Sequence, residues 1–218
     1  MRVEVSLLGG FVVVADGRAV DPERWGGERG RALVKLLALS RGHRLHREQV
    51  IDALWPELSL RAAAPRLHKA THMARRALGD QAAVVTSEGA LALWPSAELV
   101  VDIDRFESLA IDAGNVPGEV ALAEALEVYR GDLLPDDLYE PWTDAPRQRL
   151  RERHRELLRV AGRWDALLAI DAADGTAHLA LAQLAVEAGD RAGALRRLDE
   201  LDRVLDEELG RASCRERV

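Results

Sequence analysis

The sequence predicts a mixed fold, α+β over its first hundred residues and all-α beyond, on three observations. Strand and turn signals crowd into residues 1–20. Apolar residues then recur at helical spacing up to a last hairpin signal, and past Val101 only helical periodicity remains. The charge divides at the same place: residues 1–100 hold 14 Lys and Arg against 11 Asp and Glu, residues 101–218 hold 16 against 26. A polyanion is tolerated by the first part and repelled by the second.

Hydrophobic residues at 48% with 31% charged place the chain among folded globular proteins rather than disordered ones. Low aromatic content and abundant Ala, Leu and Arg favour helix, and the excess of Arg over Lys reads as coding bias. No apolar run reaches the ~20 residues of a membrane span, and no signal peptide precedes the first strand. Cys214 is the single cysteine, so no disulfide forms within the chain. A cytoplasmic protein with no membrane partner is expected.

In chain order, Val3, Val5 and Leu7 alternate and Phe11–Val14 cluster as short strands, with Gly9-Gly10 turning between them. Asp16-Gly17 signals a hairpin before Ala19-Val20, completing a small antiparallel sheet. Arg29–Ser40 reads as a helix, with Ala32, Leu33, Leu36 and Leu37 inward and Arg41-Gly42 ending it. A second helix spans about His46–Trp55 (Val50, Ile51, Leu54 and Trp55 inward), and Pro56 stops it. The stretch Ser59–Leu78 follows a short link. Then Ala83–Thr86 and Ala90–Trp94 flank Ser87-Glu88-Gly89 as a hairpin.

Ser59–Leu78, SLRAAAPRLHKATHMARRAL, holds no acidic residue in a chain of net charge -7. On a helix, Ala63, Leu67, Ala70, Thr71, Ala74 and Leu78 share one side, and Lys69, His72 and Arg76 lie opposite. Arg61, Arg66, His68 and Arg75 fall on the flanks. A narrow small-apolar face backed by a continuous basic face suits a DNA major groove. The plainer alternative is a solvated, arginine-rich helix, but such helices mix signs for i,i+4 pairing.

Sheet, helix, helix-turn-helix and closing hairpin, in that order, make a winged helix whose third helix is the basic one. The segments LLGGFVVVADGRAV, RGRALVKLLAL, HREQVIDALWPEL and AAAPRLHKATHMARRAL resemble the DNA-binding half of SARP/AfsR-type transcriptional regulators. That resemblance assigns residues 1–98 to an OmpR/PhoB-type winged helix and implies double-stranded DNA as partner. It lays the third helix in the major groove and the second against the phosphate backbone. By position, Arg61, Arg66, His68, Lys69, His72, Arg75 and Arg76 become DNA-contacting candidates, and Arg44 and Arg47 phosphate candidates.

Two departures bear on these assignments. Pro65 stands where a helix interior is expected, which removes an amide hydrogen bond at ~3 kcal/mol. Either the helix starts near Ala64 or it kinks there, and both weaken Arg61 as a base reader. The wing tip carries Glu88 and no arginine, so little contact is expected from it. Thr71 also faces the core where a larger aliphatic would pack better.

Beyond Val101, helices are expected over Asp104–Ala113, Gly118–Arg130, Asp144–Ala161, Asp165–Ala172, Ala177–Ala188 and Arg191–Leu209. In the last pair, Leu181, Ala182, Gly189, Ala194 and Leu198 occupy key positions of a tetratricopeptide-like unit, where small residues let two helices approach. ALEVYRGDLLPDDLYEPW, RQRLRERHRELL and AGDRAGALRRLDELDRVLDEELG resemble the bacterial transcriptional activator domain that follows the winged helix in SARP-type proteins. It takes residues 99–210. The closing GRASCRERV resembles the translation of a synthetic sequencing adapter. Residues 211–218 are therefore expected to be non-native, with native sequence continuing past Leu209. A short disordered tail is the alternative.

Other constellations point away from chemistry. His68 and His72 have metal-ligand spacing, but the zincin glutamate and a third ligand are missing, so no metal is expected. The six arginines of Arg147–Arg159 interleave with Glu152 and Glu156, which favours a paired, solvated face over a second nucleic-acid site. Asp132, Asp136, Asp137 and Glu140 lack calcium-loop spacing and read as loop surface, or else as a partner contact. No P-loop, dinucleotide fingerprint or nucleophile motif appears, so neither an enzyme nor a cofactor is expected. The resemblance implies an activator whose helical domain contacts RNA polymerase or a second protomer. Two alternatives stand beside it: an interaction scaffold with a degenerate winged helix, and the N-terminal part of a larger regulator with an ATPase domain.

Overall fold

A computed structural model describes residues 1–115 and 119–215, which gather into two compact units, Met1–Arg151 and Glu152–Val218. The first contains β1 (Arg2–Ser6), β2 (Val12–Ala15), β3 (Arg18–Ala19), α1 (Glu28–Leu39), β4 (Arg44–His46), α2 (Arg47–Leu54), α3 (Leu60–Leu78), β5 (Val84–Ser87), β6 (Ala90–Leu93), β7 (Glu98–Val101), α4 (Asp102–Asn115) and α5 (Glu119–Val128). The division falls inside α6 (Asp144–Val160). The second unit holds α7 (Trp164–Ile170), α8 (Gly175–Glu187) and α9 (Arg191–Arg215). Among the described residues no helix is long and apolar enough to cross a membrane.

The N-terminal sheet has strand order β3-β2-β1-β7. Its first three strands are the expected antiparallel meander, and Asp16 and Gly17 form the predicted turn with φ of 45° and 78°. The fourth strand departs from expectation. β7 runs parallel to β1, with Val3 opposite Leu99 and Val5 opposite Val101. Four residues rich in valine pair here because β1 offers an open edge and Val3 and Val5 face the core. The boundary expected at residues 98/99 thus falls at the start of a strand that returns to the N-terminal sheet, and the compact unit runs on to Arg151. The sheet β4-β6-β5 carries the wing; its strand β4, three residues long, has almost no periodicity of its own.

α1, α2 and α3 pack on one another as a helix-turn-helix with its supporting helix. α1 buries Ala32, Leu33, Val34, Leu36, Leu37 and Ala38. It approaches α3 closely at Gly30, where an added Cβ would lie 3.1 Å from both Met73 Cβ and the Ala74 nitrogen.

Past β7, unit one is pinned by charged groups. The Asp102 carboxylate accepts from the Leu7 and Leu8 amides at 2.8 and 2.9 Å, tying α4 to the end of β1. Burial raises its pKa, and those amides oppose the rise. The segment Asp132–Thr143 passes the same end of β1, with Leu134 N donating to Leu7 O at 2.9 Å. Asp137 is no surface acid as expected: its carboxylate holds Lys35 Nζ of α1, and Oδ1 lies 2.8 Å away. Arg147, expected on a solvated face, is buried and donates to the Leu133, Leu134 and Asp137 carbonyls. The other α6 arginines are ion-paired as expected, although Arg149 meets Glu107 of α4 rather than Glu152 or Glu156 of its own helix.

His43 links the loop before β4 to α4. Its Nε2 lies 3.0 Å from Asp104 Oδ2 and its Nδ1 3.1 Å from the Ala38 carbonyl. Two acceptors on the two ring nitrogens suit the doubly protonated ring, and the Asp104 hydrogen bond is the main cause of a pKa raised above 6.5. The stabilisation is therefore complete below pH 6.5 and lost as pH rises through the raised value. His43→Asn is expected to flatten this part of the stability profile, so wild type and variant differ more in melting temperature at pH 6 than at pH 8.5. A constant difference would contradict it.

In unit two, α8 and α9 pair across a short link, with Ala182 and Ala194 buried between them and Gly189 turning at φ 81°. Leu198 is exposed, short of the buried position a tetratricopeptide unit gives it. The backbone of α9 continues past Leu209 to Arg215, so the pattern break at Gly210 does not end the helix. Residues 216–218 of the expected tail, and Gly118 at the expected start of α5, lie outside the described residues.

Candidate nucleic-acid interface

α3 is built from both ends. Ser59 Oγ accepts from the Ala62 amide at 3.4 Å, and Gly79 closes the helix at φ 70° with its N–H on the last turn's carbonyls. The helix starts at Leu60, ahead of Pro65, so the expected start near Ala64 is not the one realised. The serine cap and the packed underside outweigh the one amide bond that Pro65 removes. That underside is the predicted one: Ala63, Leu67, Ala70, Thr71, Ala74 and Leu78 are buried, and Ala77 joins them.

Opposite it and on its flanks, Arg61, Arg66, His68, Lys69, His72 and Arg76 are all exposed. None of the six side chains enters an ion pair or hydrogen bond among the described residues, whereas every arginine of α6 does. Four of them, Arg61, Arg66, Lys69 and Arg76, are uncompensated cations, an electrostatic surface available to an anion. No group of His, Cys, Asp and Glu able to hold a metal ion stands with His68 and His72 among the described residues.

Arg75 separates from the ridge. It is half-buried, and its Nε donates to Val84 O at 2.8 Å, tying α3 to β5. The signal was present in the spacing, since Arg75 is four residues after Thr71 and three before Leu78, both on the buried side.

The second candidate group gathers at the wing. β4 pairs with β6, and the Arg47 amide donates to Gly89 O at 2.8 Å, so the start of α2 and the wing tip meet. Arg47 is exposed at the first position of α2, where Gln49 Oε1 caps the His46 amide at 3.0 Å. Arg44 is exposed but not free, with its guanidinium 3.6 Å from Glu88. Glu88 is 84% exposed at the tip of the β5–β6 hairpin, so the wing's one charge is an acid competing for Arg44.

No family model and no curated protein matches the chain. The fold is similar to that of Mycobacterium tuberculosis EmbR, solved in complex with a low affinity phosphopeptide. The TM-score is 0.73 at 21% sequence identity, covering 96% of this chain and 61% of that one. The chain therefore spans less than two thirds of EmbR's length. What the likeness carries is the architecture: an N-terminal winged helix followed by helices alone.

Proposed function

We propose that the chain is a SARP-type, DNA-binding transcriptional regulator and not an enzyme. The observation that carries this reading is the unpaired ridge of α3. Arg66, His68, Lys69, His72 and Arg76 read the major groove, with Arg61 reaching phosphate from the first turn. Arg44 and Arg47 brace the flanking backbone, and Arg75 orients α3 through Val84. The cations supply affinity by releasing counterions, and the residues central to the groove set sequence preference. The winged helix occupies residues 1–98, and residues 99–210 form a tetratricopeptide-like activator domain directed at RNA polymerase or a second protomer. A cytoplasmic location fits such a role, as does membership of a longer regulator. EmbR's phosphopeptide complex fits a regulator that answers to a protein signal.

Sheared genomic duplex, followed by fluorescence anisotropy across a salt series, tests the reading. Affinity is expected to fall linearly on a log–log plot, with a slope of about -0.9 for each phosphate neutralised. Absence of binding at low salt would favour the second reading, a protein-interaction scaffold, which the acidic wing tip supports.

A further inference from the structure

The tip of the wing is a two-residue turn in which Glu88 and Gly89 take φ of 51° and 76°. The chain's first hairpin makes the same kind of turn with Asp16 and Gly17, at φ of 45° and 78°. Glycine, asparagine and aspartate enter this left-handed region at least cost, the last two because their short side chains bond locally. Glutamate lacks that advantage. An unfavoured residue at a strained position points to a use for its side chain.

That use is reach. Glu88 Oε2 extends back along the wing to within 3.6 Å of Arg44 Nη2 on β4. The two side chains are 84% and 53% exposed, so their pairing adds little to the stability of the free protein. Against a polyanion the pair matters more. The Arg47 amide is fixed on the Gly89 carbonyl at 2.8 Å, and the His46 ring lies against Gly89, where an added Cβ would come 3.0 Å from Nε2. The tip is thus held beside the start of α2, and its carboxylate enters the field that Arg44 and Arg47 present. A phosphate that reaches Arg44 must displace Glu88, and the freed carboxylate then stands near it as a like charge. Like charges brought together at an interface oppose association.

Resting on the DNA-binding reading of α3, we propose that Glu88 brakes duplex binding by withholding Arg44 from phosphate. The ridge of α3 supplies affinity and the wing limits it, so the duplex is held less tightly than the cations of this unit allow.

Anisotropy with sheared genomic duplex, on the full chain at low salt, tests the brake. Glu88→Gln is expected to tighten binding about three- to tenfold and to steepen the log–log salt slope by about one, as Arg44 takes a phosphate. Glu88→Asn, which suits the turn, is expected to bind as tightly as Glu88→Gln and to melt no lower than wild type. In an Arg44→Ala background the gain from Glu88→Gln is expected to shrink to less than about twofold. Glu4→Gln removes the same charge and frees exposed Arg2 on β1, and its affinity is expected to stay within about twofold of wild type. A wild-type chain that binds no duplex overturns the DNA-binding reading and the brake together. If wild type binds and Glu88→Gln binds no tighter, the brake alone is overturned. An equal gain in the Arg44→Ala background overturns it too, since Arg44 would then play no part. So does an equal gain from Glu4→Gln, because net charge would then suffice.

Discussion

Replacing Lys69 and Arg76 together by alanine is expected to weaken duplex binding by ~2–4 kcal/mol, about 30- to 1,000-fold, with the melting temperature unchanged. Both side chains stand exposed on the far side of α3 from its buried face, and neither has a protein partner among the described residues. Truncation therefore leaves no buried group unsatisfied, and alanine is at least as good a helix former. Two lost phosphate or base contacts also flatten the salt dependence, by about two in slope. Anisotropy titrations at several salt concentrations, paired with thermal melts, separate affinity from folding. A folded double variant with wild-type affinity would remove α3 from the interface. Arg75→Ala provides the contrast, because losing its bond to Val84 acts on how α3 is held.

Lys35→Ala is expected to destabilise the protein by ~3–5 kcal/mol, since it leaves the Asp137 carboxylate without its cation. The Lys35 side chain is 2% exposed and that of Asp137 12%, so water replaces little of the lost interaction. Nζ also sits 5.3 Å from the Phe11 ring centroid, a contact that disappears with it. Urea unfolding measures the effect. The double variant Lys35→Met with Asp137→Leu removes both charges, and its stability should return to near the wild-type value. If the double variant is as unstable as the single one, packing and not charge is what Lys35 contributes.

Helix α3 was legible because its two faces are written in residue type. Small apolar residues at three and four, with cations opposite, admit one way of lying on a core, and Ala63 to Leu78 lie that way. The Asp16-Gly17 turn was legible for a similar local reason, as both residues tolerate positive φ. Arg75 shows where residue type stops informing. It has the same chemistry as Arg76, and one step of 100° carries it from solvent to the carbonyl of a neighbouring strand.

Asp137 of the acidic segment and Arg147 of α6 depart from the expected solvated state in the same sense. Charge is solvated by default, and only a partner distant in sequence can reverse that. Lys35 meets Asp137, and Arg147 meets three carbonyls of a loop, across separations that no periodicity encodes.

What the amino-acid order determined by itself is whatever depends on neighbours within a few turns: helix faces, hairpin turns, and the sign of charge along α3. Only the tertiary structure decided which charges remain in water, that β7 returns parallel to β1, and that Tyr139 stands clear of every covering group. The reason is range. Side-chain periodicity records local geometry, whereas burial of a charge or exposure of an aromatic is settled by contacts between segments brought together by the fold.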